Sequence, residues 1–203
     1  MEPQKAATEA VRETEGQILC QNGEAVEAYY FSTSAGVTST DEIWGSDEAA
    51  PYLRSVPCKF DEEEPWSSWI VELPWKMLED RIREKGEGTV LRSVTVTRRS
   101  ESGAATALEA VSDKDSCIIE NEYEIRKFLA PVNCMITEKD GTETAGGSLL
   151  PSAYFELERT QNGNLQVRGK GYGHGVGMSQ TGADKMAEQG YAVSYTHLRA
   201  HET

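Results

Sequence analysis

The spacing of apolar side chains changes period several times along this chain, and each change predicts an element. Ala6, Ala10 and Val11 fall on one side of residues 3–12, the repeat of a short helix. Two arms, 17–20 and 25–31, flank Asn22-Gly23, a pair suited to a tight hairpin because both central positions of that turn need positive φ. The second arm runs into a small hydroxyl-rich loop, Ser32-Thr33-Ser34-Ala35-Gly36, and residues 39–44 follow with Asp41, Glu42 and Trp44. Further on, Trp69, Val71 and Leu73 alternate with Ser68, Ile70 and Glu72, the period of a strand with one buried face. Pro74 suits the first turn of a helix, Trp75, Leu78 and Ile82 give that helix a core stripe, and Gly86 ends it.

The second half is shorter in period. Residues 89–98 are rich in Val and Thr and predict a strand. A turn at 100–104 leads to a weaker strand at 106–111. Asn121-x-x-Glu124 resembles a capping box and opens a helix carrying Ile125, Phe128 and Leu129, which stops at Pro131. Residues 140–148 are small and predict a loop. Ala153, Phe155 and Leu157 alternate with Tyr154, Glu156 and Glu158, and Asn162-Gly163 turns the chain back into Leu165 and Val167. Hairpins and short helices without regular βαβ alternation predict an α+β fold around one core.

Residues 169–183 read GKGYGHGVGMSQTGA, with glycine at every second position from Gly169 to Gly177. In an extended segment one face has no side chains, while Lys170, Tyr172, His174 and Val176 project from the other. A backbone bare along one edge can approach a ligand or another backbone closely. Ser179 or Thr181 then caps a short helix, with Asp184 three residues beyond Thr181 as a capping-box partner. The segment sets one imidazole, His174, beside the hydroxyl of Ser179 and the amide of Gln180, which suits a polar site.

Composition narrows the function classes. A formal charge of −14 argues against nucleic acid as a partner, since that needs a cationic footprint, and it weakens any attraction to an anionic membrane. Asp61, Glu62, Glu63 and Glu64 run together before Pro65 and read as a solvated loop without a functional role. No apolar run reaches membrane-spanning length and no signal peptide follows Met1, which alone describes a cytoplasmic protein. Cys20, Cys58, Cys117 and Cys134 form no C-x-x-C pair and read as buried free thiols.

Three familiar chemistries fail on the residues. A dinucleotide fingerprint needs glycine where His174, Val176, Met178 or Gln180 stands, so no nucleotide cofactor is implied. His197 and His201 are spaced i, i+4 without a glutamate motif, so no metal is expected. Ser32 or Ser34 with His174 lacks the G-x-S-x-G elbow of a serine hydrolase. Those hydroxyls suit hydrogen bonds to a polar substrate such as a sugar.

Two motifs resemble those of the stage II sporulation protein D (SpoIID) family, which includes the LytB-like amidase enhancers. Residues 27–45, EAYYFSTSAGVTSTDEIWG, resemble the family's A-Y-[HF]-S-T-S-x-G-x-T…VWG. Residues 169–191, GKGYGHGVGMSQTGADKMAEQGY, resemble its long glycine motif. Shorter echoes are PYLRSV at 51–56, the IR…L pattern at 125–129 and LPSAYF at 150–155. The resemblance implies a lytic transglycosylase that remodels peptidoglycan outside the cytoplasmic membrane during forespore engulfment. Such enzymes cut the bond between N-acetylmuramic acid and N-acetylglucosamine in glycan strands that a partner amidase has stripped of peptides. On that reading Ser32, Ser34, Tyr172, His174, Ser179 and Gln180 bind and orient the glycan. The same family carries an alternative, a non-catalytic glycan-binding protein that enhances an amidase. A spore-coat or germination relative is a third reading.

The departures from the family pattern set further expectations. The family's catalytic glutamate stands in an E-A-L-K-A-Q-A-like segment upstream of the first motif, and nothing before Ala25 matches it. The acid and a membrane anchor are therefore expected upstream of Met1, in a full-length protein of the cell envelope, and this chain alone is expected to be inactive. Some members bind zinc through a histidine at the position of Phe31 and two nearby cysteines; Phe31, Ala35 and Val37 supply no such ligands. Residues 194–203, SYTHLRAHET, resemble translated adapter read-through, which leaves 1–193 as a partial domain of the family.

Overall fold

A computed structural model describes residues 3–46 and 48–191; the expected non-native tail, with His197 and His201, lies outside the described residues. The first elements are α1 (Pro3–Glu13), β1 (Cys20–Gln21), β2 (Glu24–Ala25), β3 (Tyr30–Phe31), β4 (Trp69–Leu73), α2 (Trp75–Glu84), β5 (Leu91–Arg99), β6 (Ala105–Ser112) and β7 (Ser116–Glu120). Then come α3 (Glu122–Phe128), β8 (Met135–Glu138), β9 (Glu143–Ala145), β10 (Phe155–Arg159), β11 (Leu165–Gly169), β12 (Met178–Ser179) and α4 (Gln180–Glu188). Short 3₁₀ turns occupy Asp41–Trp44 and Pro65–Ser67. The class is α+β, as the sequence pattern predicts.

Two antiparallel sheets carry the body, one of five strands in the order β10-β11-β4-β8-β9 and one of three in the order β5-β6-β7. In β4, Trp69, Val71 and Leu73 are buried and Ile70 and Glu72 face outward. β11 lies beside it with Leu165 opposite Leu73, Val167 opposite Val71 and Gly169 opposite Trp69. Residues directly opposite share a face, so the two buried rows coincide. α2 adds Leu78 and Ile82, α3 adds Ile125 and Phe128, and β6 adds Leu108 to the same core, which is shared by both sheets. Burying each such side chain is worth about 1.5–3 kcal/mol relative to exposure. A second, smaller apolar cluster gathers Ile43, Leu53, Ala153, Tyr154 and Val176.

The structure departs from the sequence pattern in several places. Asn22 (φ 53°) and Gly23 (φ 85°) do form the tight turn, but its arms are two residues each. The predicted second arm breaks, and Tyr30–Phe31 pairs instead in parallel with β12. β7 was not foreseen, and β9 falls inside the predicted loop 140–148; each is short and pairs across a hairpin with the strand just before it. Pro74 sits at the cap of α2 rather than in its first turn. All four cysteines are free, with Cys20 exposed and the other three only partly buried.

Candidate functional site

The glycine segment is not extended. Gly171, Gly173, Gly175 and Gly177 have φ of 75°, 116°, 84° and 82°, the left-handed region that costs other residues about 1–2 kcal/mol. The chain therefore turns at every second residue, and the intervening side chains do not share a face. Lys170 and Tyr172 are exposed, His174 is half-buried and Val176 is buried. The bare sides meet protein. A Cβ on Gly171 would come within 2.9 Å of the Ala35 nitrogen, one on Gly173 within 2.7 Å of the Phe31 Cβ, and one on Gly177 would overlap the Tyr29 carbonyl. Of the two uses open to a bare backbone, this one is close approach to residues 29–35.

Hydrogen bonds close the seam. Thr33 and Tyr172 exchange N–H···O bonds of 3.1 and 2.8 Å, and the Ser39 N–H donates to the Gly175 carbonyl at 2.6 Å. Below them β3 pairs with β12. The two motifs singled out in the sequence, 27–45 and 169–191, are thus laid side by side. Ser179 rather than Thr181 caps α4, accepting the Gly182 N–H at 3.2 Å.

At the centre of the seam is a residue that the sequence pattern assigned to solvent. Asp61 has 0% exposure. Its carboxylate accepts from the Ser34 N–H (2.7 Å), the Ser34 hydroxyl (2.7 Å) and the Ser179 hydroxyl (2.6 Å). The Thr181 hydroxyl approaches at 3.4 Å and the Cys58 thiol at 3.7 Å. The start of α4 adds the positive end of a helix dipole. Asp61 thus ties the first motif to the second, and the solvated-loop expectation is corrected for this residue. Glu63 and Glu64, beside it, pair with Lys139 and Lys185 at the surface. Burial pushes the Cys58 thiol up to about 11, which disfavours the reactive thiolate.

Ser34 and Ser179 are buried with their hydroxyls engaged by Asp61, which lets them hold the seam together. Ser32, half-buried, uses its carbonyl to accept from the Thr181 N–H and hydroxyl, both at 3.0 Å, and its own hydroxyl lies 3.3 Å from that of Thr33. His174 accepts the Val176 N–H on Nδ1 at 3.1 Å, which puts the ring proton on Nε2. The ring lies 5.2 Å from Trp44 and 5.9 Å from Phe31, centroid to centroid. Burial holds its pKa below the ordinary range; Glu122 and a backbone hydrogen bond with Tyr30 pull it up, and Arg126 pushes it down. Tyr172 is 42% exposed and sits edge-on to Trp66 at 4.7 Å. Gln180 is exposed at the start of α4. Beside the seam a largely apolar cavity of about 280 Å³ opens between Tyr29, Tyr52, Phe60, Met178 and Met186. Among the described residues no three His, Cys, Asp or Glu side chains are grouped to hold a metal ion.

Residues 54–177 match the family described as Domain of unknown function (DUF8618). The chain is 33% identical over 190 residues to Stage II sporulation protein D of Bacillus amyloliquefaciens, covering 94% of this chain and 47% of that protein. It is 31% identical to Stage II sporulation protein D of Bacillus subtilis (strain 168), over 93% of this chain and 47% of that protein. The chain belongs to the DUF8618 family, and its likeness to the two Stage II sporulation D proteins bears out the resemblance read from its motifs. The Amidase enhancer of Bacillus subtilis (strain 168) is 22% identical over 91% of this chain and 30% of that protein. The chain spans about half the length of the SpoIID relatives it matches. Asp61 and most of the glycine segment fall inside the matched family region.

Proposed function

We propose that this chain is part of a cell-envelope protein that remodels peptidoglycan during sporulation, and that the complete protein is a lytic transglycosylase acting on peptide-free glycan strands. The observation that carries this reading is the likeness, across 94% of the chain, to a protein named for stage II of sporulation. The seam supports it, because its two halves are the two motifs of the resemblance. In the proposed reaction the C6 hydroxyl of N-acetylmuramic acid attacks C1 of the same sugar. The C1–O4 bond breaks, a protonated carboxylic acid gives its proton to the leaving O4, and its conjugate base takes the C6 proton. One carboxylic acid then suffices where ordinary glycosidases need two. The rest of the site must hold the sugar in its reactive shape. Ser32, Tyr172 and Gln180 are the groups of the seam placed to bond a glycan, and Ser34, His174 and Ser179 fix the backbone that carries them.

None of the three buried carboxylates of the described residues suits the proton donor. Asp61 is occupied by the hydroxyls of Ser34 and Ser179, Glu122 by Arg126 at 2.5 Å, and Glu138 by the Thr144 hydroxyl at 2.5 Å. The proposal therefore takes the donor from outside the described residues, and from the resemblance alone it takes a membrane anchor and an extracytoplasmic location for the complete protein. The likeness to an amidase enhancer favours a second reading, a non-catalytic glycan binder that assists a cell-wall amidase. Incubating the complete protein with peptide-free glycan strands and analysing the products by mass spectrometry separates the two. Anhydro-ended products are expected. Binding to the strands without such products sinks the transglycosylase reading and leaves the binder, and neither binding nor products sinks both.

A further inference from the structure

Arg126 and Glu122 share no hydrogen-bond partner with Asp61, and the IR…L echo at 125–129, which contains Arg126, gives it no role. Both are buried, at 8% and 1% exposure. Glu122 accepts from the Arg126 Nη1 at 2.5 Å. The other two guanidinium nitrogens do not contact a carboxylate. Nε donates to the Leu150 carbonyl at 2.8 Å and Nη2 to the Pro151 carbonyl at 3.2 Å. The Leu150 N–H returns to the Arg126 carbonyl at 3.0 Å, so residues 150 and 151 are gripped from both sides. The Pro151 carbonyl then accepts a second donor, the Gly173 N–H at 2.8 Å. Gly173 directly precedes His174. Beyond it, the Ser152 hydroxyl donates to the Lys170 carbonyl at 2.6 Å, and the Lys170 N–H donates to the Tyr154 carbonyl at 2.8 Å.

We propose that Arg126, braced by Glu122, is a positioning residue of this site: it sets the backbone at 150–151 and, through the Pro151 carbonyl, the turn at Gly173 and the imidazole of His174. A buried ion pair seldom outweighs its desolvation cost, so stability is a poor account of this one. Geometry is a better account. A guanidinium spreads its donors over three nitrogens in a fixed planar fork and so sets the directions of its acceptors, whereas the three donors of an ammonium rotate about one nitrogen. The glycine segment needs such a guide, because residues with free access to positive φ have many alternative conformations. The device rests on the glycan reading only for its effect on ligand binding; the backbone geometry it asserts is measurable without any ligand.

Amide hydrogen exchange on the full chain tests it, comparing the wild type with Arg126→Gln, Arg126→Lys and Glu122→Gln. In Arg126→Gln the Gly173 and Val176 amides are expected to exchange about tenfold faster, while Val71 and Val167 in the five-stranded sheet keep wild-type protection. Arg126→Lys, with one head in place of a fork, is expected to restore that protection only in part. Glu122→Gln, which removes the brace, is expected to loosen the same two amides by a smaller factor. Uniform acceleration at all four amides, or none at Gly173 and Val176, overturns the proposal. If Arg126→Gln does not fold, the local effect in Arg126→Lys and Glu122→Gln decides in the same way. Binding of purified peptide-free glycan strands, measured in parallel, is expected to weaken about fivefold in Arg126→Gln. If the complete wild-type protein does not bind the strands, the glycan reading fails, and the amide exchange still judges Arg126.

Discussion

Leu78 and Asp61 are both at 0% exposure, yet their surroundings work by different physics. Leu78 belongs to a cluster of apolar side chains drawn from both sheets and two helices. Such contacts have no preferred direction, and they tolerate exchange among side chains of similar volume. Around Asp61 the bonded contacts are donors aimed at one carboxylate, and the backbone that brings them is glycine-rich and turned through positive φ. The body core can be rebuilt from many sequences. The seam needs particular atoms at particular places, so its sequence is narrow enough to be recognised as a motif.

Asp61→Ala should have the largest effect. It strands the Ser34 N–H and the Ser34 and Ser179 hydroxyls in a buried site, at about 1–3 kcal/mol for each unsatisfied group, read from the urea midpoint of the chain. Leu78→Ala is expected to cost about 2–5 kcal/mol by leaving a cavity. The sharper comparison is between conservative changes. Leu78→Met should cost less than about 1.5 kcal/mol, whereas Asp61→Asn, equal in shape, should cost more, because its amide turns a donor toward donors. Equal costs for these two would remove the distinction between core and seam.

Gly177→Ala comes next. Positive φ alone costs about 1–2 kcal/mol, and the new Cβ overlaps the Tyr29 carbonyl, so a loss above 2 kcal/mol on that scale is expected in the same titration. Ser179→Ala removes the α4 cap and one Asp61 donor and should cost about 1–2 kcal/mol. A loss below a few tenths would show that the cap and the carboxylate are not coupled.

The smallest effect concerns the body rather than the seam. Asp113, at the turn between β6 and β7, accepts the Val90 and Thr89 N–H groups and the Thr89 hydroxyl, and these bonds bring its pKa down from 3.8 to about 2. A carboxyl depressed on folding stabilises the protein above its unfolded pKa, and that stability is lost as pH falls from about 4 towards 2. Asp113→Asn should flatten the acid limb of the stability–pH curve in that window, and an unchanged slope would contradict the assignment.

Much of the body was legible along the chain because its signals are local. The alternation at Trp69, Val71 and Leu73, the stripe of α2 and the Asn22-Gly23 turn each lie within a few residues. So does the Asn121 cap, whose side chain accepts the Glu124 N–H at 3.0 Å. The family motifs were legible too, as runs of residues, and with them the candidate positions Ser32, Ser34, Tyr172, His174, Ser179 and Gln180. Their geometry was not. Asp61 is 27 residues from Ser34 and 118 from Ser179, and within its own stretch it looks like one more solvated acid beside three glutamates. β3 carries no local sign that its partner is β12. The alternating glycines state that something must come close, and only the fold determines that it is the backbone of residues 29–35. Side-chain periodicity records which face of an element is buried; it does not record which distant donor will be aimed at a buried charge, and that choice is made when the chain closes on itself.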